Sequence, residues 1–252
     1  MNAFPVDASG NVIRYFDLSG GRPLVFLHGL GCASSFSFSG IARDPQLISH
    51  RTILIDLLGF GYSDRPSSFS YTMEAQAEIV VRLLEHLSID SAVLIGHSMG
   101  GAIAILAAAG CPERIGRLVL AEGNLDPEPG IVSGPIAAWE EHSIETEHRQ
   151  FVAQMRAAGF PGYAATVERA SPLAMYRSAV DLIAPRVPTF REVLMDLSIP
   201  ATYLFSEESQ RDPDVARLPE GGVSVAIVPA CGHDMMADNP SGFAEAVAAA
   251  IV

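Results

Sequence analysis

The stretch that decides the fold is Ala92-Val93-Leu94-Ile95-Gly96-His97-Ser98-Met99-Gly100-Gly101. Four apolar residues read as a buried strand, and the Ala-rich run from Met99 to Ala109 reads as a helix. Between them, Gly96-His97-Ser98-Met99-Gly100 fits the pattern G-x-S-x-G, in which a serine sits on a sharp strand-to-helix turn. Small residues on either side let neighbouring backbones approach closely and present the hydroxyl above a sheet. The pattern arises by chance in unrelated chains; its place between a strand and a helix is what makes it specific.

Similar apolar runs flank this one on both sides. Leu24–Leu27, Thr52–Ile55, Leu118–Leu120, Ala201–Phe205 and Val223–Val228 are continuously hydrophobic rather than alternating. Strands buried on both faces of a mainly parallel sheet read this way. Val12–Phe16 reads as an early strand pairing antiparallel at the sheet edge. Helical spacing recurs in Met73–Leu87, through Ile79, Val80, Leu83, Leu84 and Leu87. It recurs in Ser241–Val252, with Asp238 and Asn239 available as caps. Alternation of strand and helix predicts an α/β fold with a mostly parallel, doubly wound sheet.

The rhythm breaks between Leu125 and Ser198. This stretch opens on Asp126-Pro127-Glu128-Pro129-Gly130 and continues with helical material at Trp139–Ala157, Thr166–Arg169 and Leu173–Ala184. A crossover between parallel strands needs only one helix, so residues 125–198 are expected to form a helical cap inserted after the sixth strand. Residues 1–124 and 199–252 then form the core.

The 252 residues suit one α/β catalytic domain. Sixteen Lys and Arg against 29 Asp and Glu leave a net charge of −13, and no basic run occurs, which argues against nucleic acid or an anionic membrane as partner. No apolar run reaches the ~18 residues of a spanning helix, and Met1–Gly10 lacks the features of a signal peptide. Three widely spaced cysteines do not make a disulfide framework. A cytoplasmic protein without membrane insertion, metal or cofactor is expected. Oligomeric state is not legible.

Three further segments, in the right order, extend the resemblance beyond the serine turn. His28-Gly29-Leu30-Gly31 follows the third strand, Asp56-Leu57-Leu58-Gly59-Phe60-Gly61-Tyr62-Ser63-Asp64-Arg65-Pro66 follows the fourth, and Cys231-Gly232-His233 follows the last. With them the chain resembles, over essentially its whole length, the α/β-hydrolase superfamily and specifically its small capped esterase-like members. The resemblance implies Ser98 as nucleophile and His233 as its base, since a serine hydroxyl attacks poorly until a base takes its proton. It implies an oxyanion hole formed by the backbone N–H groups of Leu30 and Met99. His28 is expected to shape the oxyanion loop through hydrogen bonds, and His97 to be structural packing. Cys32 and Cys231 read as small buried thiols, since neither sits on the serine turn.

The acid departs from the family pattern. In most relatives an Asp follows the seventh strand, and counting on from Pro200 to that place lands on Ser209. Some dehalogenases and lactonases resemble a second arrangement, with the acid at the end of the sixth strand, where this chain has Glu122. A carboxylate ending an apolar strand needs a partner, because an unpaired buried charge is costly. Glu122 is therefore the first choice, with Glu208 or Glu207 and then Asp212 as alternatives. The expected activity is cleavage of a small, fairly apolar carboxylic ester or lactone through an acyl-enzyme. The same Ser-His machinery serves carbon–carbon bond hydrolases, cofactor-free perhydrolases and lyases, and some ligand receptors share the fold. Haloalkane dehalogenases and epoxide hydrolases need a carboxylate on the serine turn, which Ser98 does not supply.

Overall fold

The computed structural model describes all residues, Met1–Val252. Eight strands run in chain order as β1 (Asn2–Pro5), β2 (Val12–Leu18), β3 (Pro23–Leu27), β4 (Arg51–Asp56), β5 (Ala92–His97), β6 (Ile115–Ala121), β7 (Ala201–Ser206) and β8 (Ser224–Val228). They form one sheet in the order β1-β2-β4-β3-β5-β6-β7-β8. β4, β3, β5, β6, β7 and β8 are mutually parallel, whereas β2 pairs antiparallel with both β1 and β4. The early strand was expected at the sheet edge. That expectation is corrected, because Asn2–Pro5 pairs outside it and takes the edge. Asn2–Pro5 is too short and too polar at its start for a pattern to declare it.

The helices are α1 (Ser34–Ser37), α2 (Met73–His86), α3 (Met99–Gly110), α4 (Ser133–Ala137), α5 (Ile144–Ala157), α6 (Pro161–Arg169), α7 (Pro172–Ile183), α8 (Phe190–Asp196), α9 (Asp214–Glu220), α10 (Met235–Asp238) and α11 (Pro240–Ala250). Their starts follow local chemistry. Thr72 accepts from Ala75 N–H ahead of α2, and Asn239 accepts from Gly242 N–H ahead of α11. Thr189 and Glu192 close a capping box at α8.

Continuous apolar strands have the expected consequence, a core on each side of the sheet. In β3, Val25 and Leu27 join the larger core with α2 and α3, while Leu24 and Phe26 face the opposite core with α11. All four are fully buried. Each contributes roughly 1.5–3 kcal/mol relative to exposure, so shifting β3 by one residue gains nothing and register is set by its neighbours. β8, at the sheet edge, is less buried than the strands inside it.

Five helices lie between β6 and β7. α4 through α7 pack on one another, and α7 also touches α2, whereas α8 packs on α3 and thus returns the chain to the sheet layer. The start and end of the insertion are tied together. Arg191 of α8 donates its N–H to Leu125 O at 2.8 Å, and its guanidinium binds Asp126 and, at 2.6 Å, Asp214. The helix expected from Trp139 begins only at Ile144. Trp139 instead packs edge-on against Phe151 and His148, a tertiary contact that helical spacing does not reveal.

Candidate active site

β3 is the point from which the parallel sheet grows in two directions, toward β4 on one side and β5 on the other. The loops leaving the carboxyl ends of β3 and β5 therefore diverge and leave a crevice, the usual ligand position in open α/β sheets. Gly29 on the first loop and Ser98 on the second line it. A Cβ built on Gly29 would lie 3.3 Å from Ser98 Cβ.

Ser98 has φ 51° and ψ −120°, an unfavourable conformation for a residue with a side chain. Such strain costs on the order of 1–3 kcal/mol and persists only where surroundings over-determine it. Here glycines do so. A Cβ on Gly96 would collide with the Gly100 carbonyl, and one on Gly100 with the Leu27 carbonyl. The turn is also bonded at both ends: Ser98 N–H donates to Ala121 O at 3.0 Å, and Ser98 O accepts from Gly101 N–H at 2.8 Å. Met99 begins α3, so its N–H lies at the positive end of the helix dipole. Neither the Met99 nor the Leu30 N–H donates to a backbone carbonyl.

Glu122 follows β6 and also has positive φ, 46°. Its Oε2 lies 3.9 Å from His233 Nδ1, an ion-pair distance rather than a closed hydrogen bond. Its Oε1 accepts from Ser206 N–H at 2.8 Å. Burial by itself raises the Glu122 carboxyl. The facing His233 imidazole and the hydrogen bond from Ser206 N–H outweigh burial and hold the pKa at about 2. Of the carboxylates considered for the acid, Glu122 alone comes within ion-pair distance of His233. Glu207 turns away to accept from Ala230 N–H, Asp212 accepts from Asp214 N–H, and Glu208 lies beside Gly232 in an open acidic hollow.

His233 follows β8 on a half-exposed loop, and its neighbour in space is His97. The two rings are 4.7 Å apart, and His97 Nε2–H donates to the His233 carbonyl at 2.9 Å. Burial, reinforced by the His233 charge, pushes His97 down to about 3, so it stays neutral. Sequence reasoning assigned His97 to packing and missed this bond, for which adjacency to Ser98 was the only signal. His28 behaves as expected. Its Nδ1–H donates to Gly29 O at 2.8 Å, and its Nε2 accepts from Leu57 N–H at 3.1 Å. Burial lowers its pKa, keeping this neutral tautomer. Also unanticipated is Tyr163 of α6, whose hydroxyl donates to Leu30 O at 3.0 Å and so ties the insertion to the loop after β3. Burial raises the thiol pKa of both Cys32 and Cys231, which leaves them poor nucleophiles.

Comparison with known proteins agrees with this architecture. The family model for the alpha/beta hydrolase fold matches residues 22–142. A 2-hydroxymuconate semialdehyde hydrolase of Pseudomonas sp. (strain CF600) is 35% identical over 146 residues, covering 58% of this chain and 51% of that protein. The chain thus covers about half the length of the curated relatives it matches. An esterase from Exiguobacterium antarcticum superposes with TM-score 0.80 at 20% identity, covering 99% of this chain and 98% of that one. An N-acyl homoserine lactonase superposes with TM-score 0.79 at 20% identity, covering 99% and 96%. No helix is long and apolar enough to cross a membrane. By its sheet order, its serine turn and these matches, the chain has the α/β-hydrolase fold.

Proposed function

We propose that the chain is a serine hydrolase that cleaves a small, fairly apolar carboxylic ester or lactone through an acyl-enzyme. The observation carrying this reading is the convergence of three strand ends: Ser98 after β5, Glu122 after β6 and His233 after β8, with Glu122 Oε2 3.9 Å from His233 Nδ1. Catalytic hydrogen bonds are often long without substrate and tighten in the reacting complex.

In this mechanism His233 Nε2 takes the Ser98 proton as Oγ attacks the carbonyl carbon. Glu122 accepts from Nδ1–H, holds the tautomer and stabilises the imidazolium. The low pKa of Glu122 keeps it anionic across the working range. The oxyanion is received by the Leu30 and Met99 N–H groups, which are preorganised by the backbone. His233 then protonates the departing alcohol, and water, deprotonated by His233, releases the acid and restores Ser98. Residues 125–198 are read as a cap over this crevice. Val167, Tyr163 and Met175 approach Gly31 from it and offer an apolar wall to the acyl group.

Cleavage of a carbon–carbon bond by the same pair is the second reading, favoured by the likeness to the 2-hydroxymuconate semialdehyde hydrolase. The test uses p-nitrophenyl butyrate beside a ring-fission semialdehyde. Ester turnover with a butyryl adduct on Ser98, both absent in Ser98→Ala, is the expected result. Unchanged ester turnover in Ser98→Ala overturns the serine mechanism, and semialdehyde cleavage far faster than ester cleavage selects the second reading.

A further inference from the structure

The residue after His233 carries a charge that the mechanism does not use. Asp234 precedes α10, yet its side chain accepts from no N–H of that helix. Its Oδ1 lies 4.0 Å from His97 Nε2, the nitrogen that donates to the His233 carbonyl at 2.9 Å. The other nitrogen of that ring faces the loop after β3: a Cβ built on Gly29 would lie 3.1 Å from His97 Nδ1 and 3.3 Å from Ser98 Cβ. Asp234 therefore stands one imidazole away from the Gly29 and Ser98 side of the crevice. Burial raises the Cys32 thiol and the Tyr163 hydroxyl, and the Asp234 charge adds to both, so its field also reaches the loop after β3 and the insertion.

No cation answers this charge. Solvent reaches 43% of the side chain, enough to hold a carboxylate that has no partner. His97, the one basic side chain within ion-pair distance, stays neutral. The chain contains no lysine. Arg65 and Arg177, which join the insertion to the core, donate to backbone carbonyls. The other carboxylate at the site, Glu122, is taken up by His233 and Ser206.

We infer that Asp234 is a specificity-determining residue that favours esters with a cationic group on the alcohol portion, accepts uncharged ones and disfavours anionic ones. The inference rests on the serine-hydrolase reading above and names the substrate class of that same site. His233 hands its proton to the departing alcohol, so the residue next to it borders the alcohol portion rather than the acyl group. A cation there meets an unpartnered carboxylate, whereas an anion meets repulsion that no Lys or Arg offsets. The same repulsion acts on a ring-fission semialdehyde that carries a carboxylate, and so weighs against the carbon–carbon reading.

The experiment compares kcat/KM for three butyrate esters of nearly equal shape: butyrylcholine, its uncharged carbon analogue 3,3-dimethylbutyl butyrate, and the anion 4-butyryloxy-2,2-dimethylbutanoate. In the wild type the order cation, neutral, anion is expected, with about fivefold between steps, the scale of a half-exposed charge screened by solvent. The isosteric Asp234→Asn is expected to shrink each step by about that factor, and Asp234→Glu to retain the order. Because each ratio is taken within one protein, a general loss of activity leaves it unchanged.

Ratios in Asp234→Asn within about twofold of wild type overturn the inference, and with a lowered Tm they make Asp234 structural only. A wild type that prefers the anion overturns it as well. If the wild type turns over none of the three esters, the serine-hydrolase reading fails and the inference falls with it. Asp234→Ser removes the same charge and keeps the ratios measurable should the Asn variant not fold.

Discussion

β5 and β6 lie side by side, and both end on a non-glycine residue of positive φ, Ser98 at 51° and Glu122 at 46°. The two strained ends are held by different physics. At Ser98 the conformation is imposed by steric necessity, Gly96 against Gly100 within the turn and Gly100 against Leu27 of β3. Gly96 and Gly100 permit backbone approaches that no side chain could share. At Glu122 the conformation is held by polar contacts from a strand reached only after the whole helical insertion: its N–H donates to Leu204 O at 3.1 Å, and its carboxylate accepts from Ser206 N–H at 2.8 Å. One strained residue is held by close backbone packing between neighbouring strands, the other by polar contacts to its carboxylate and backbone. The first needs only β3 and β6 beside it, whereas the second exists only after β7 has docked.

Substitutions separate these two ends. The largest effect is expected at Ser98 itself: Ser98→Ala should reduce ester turnover by about 10⁵ or more, as loss of the nucleophile does elsewhere. Residual turnover above that level would move the nucleophile away from the β5 end. Next, Glu122→Gln should lower kcat by roughly 10³–10⁴, the scale for an acid that fixes the histidine tautomer. Far-UV circular dichroism of this variant should stay unchanged.

Gly100→Ala tests the steric side of the comparison. The new methyl collides with the Leu27 carbonyl, so a loss of about 3 kcal/mol is expected from overpacking. That corresponds to a Tm fall of roughly 6–12 °C for a chain of this size. A fold that tolerates alanine there would mean the elbow is held by something other than close backbone approach.

His97 allows a pH test. Its folded pKa of about 3 lies below the ordinary 6.5, so between these values the unfolded chain binds the extra proton. Stability contributed by neutral His97 is therefore complete above pH 6.5 and is lost as pH falls toward 3, at up to roughly 1.4 kcal/mol per pH unit. Chemical denaturation of His97→Gln should show a flatter decline over that window. Glu122 contributes in a lower window, since its folded pKa near 2 lies below 4.5: its stabilisation is lost as pH falls from 4.5 toward 2. The smallest effect is expected for Glu208→Gln, within about twofold of wild type, because an exposed carboxylate without a partner contributes little. A large loss there with an active Glu122→Gln would reverse the assignment of the acid.

Legibility in the sequence follows the same division. Leu24–Leu27 and Ala92–Ile95 declared a sheet buried on both faces, and the cores on its two sides confirm it. The serine turn was legible because its glycines are adjacent in sequence. Asn2–Pro5 was not legible as the outer strand, nor was the start of the helix expected from Trp139, since both depend on what packs beside them. His97 donating to the His233 carbonyl joins residues 136 positions apart. Ser206 reaching Glu122 spans 84.

By itself, then, the sequence determined the elements, the parallel sheet and the strained serine turn, because periodicity and steric exclusion act over a few residues. Only the tertiary structure decided which carboxylate faces His233 and what holds it there. A hydrogen bond depends on where two atoms meet in space, and the chain that joins them carries no local trace of that meeting.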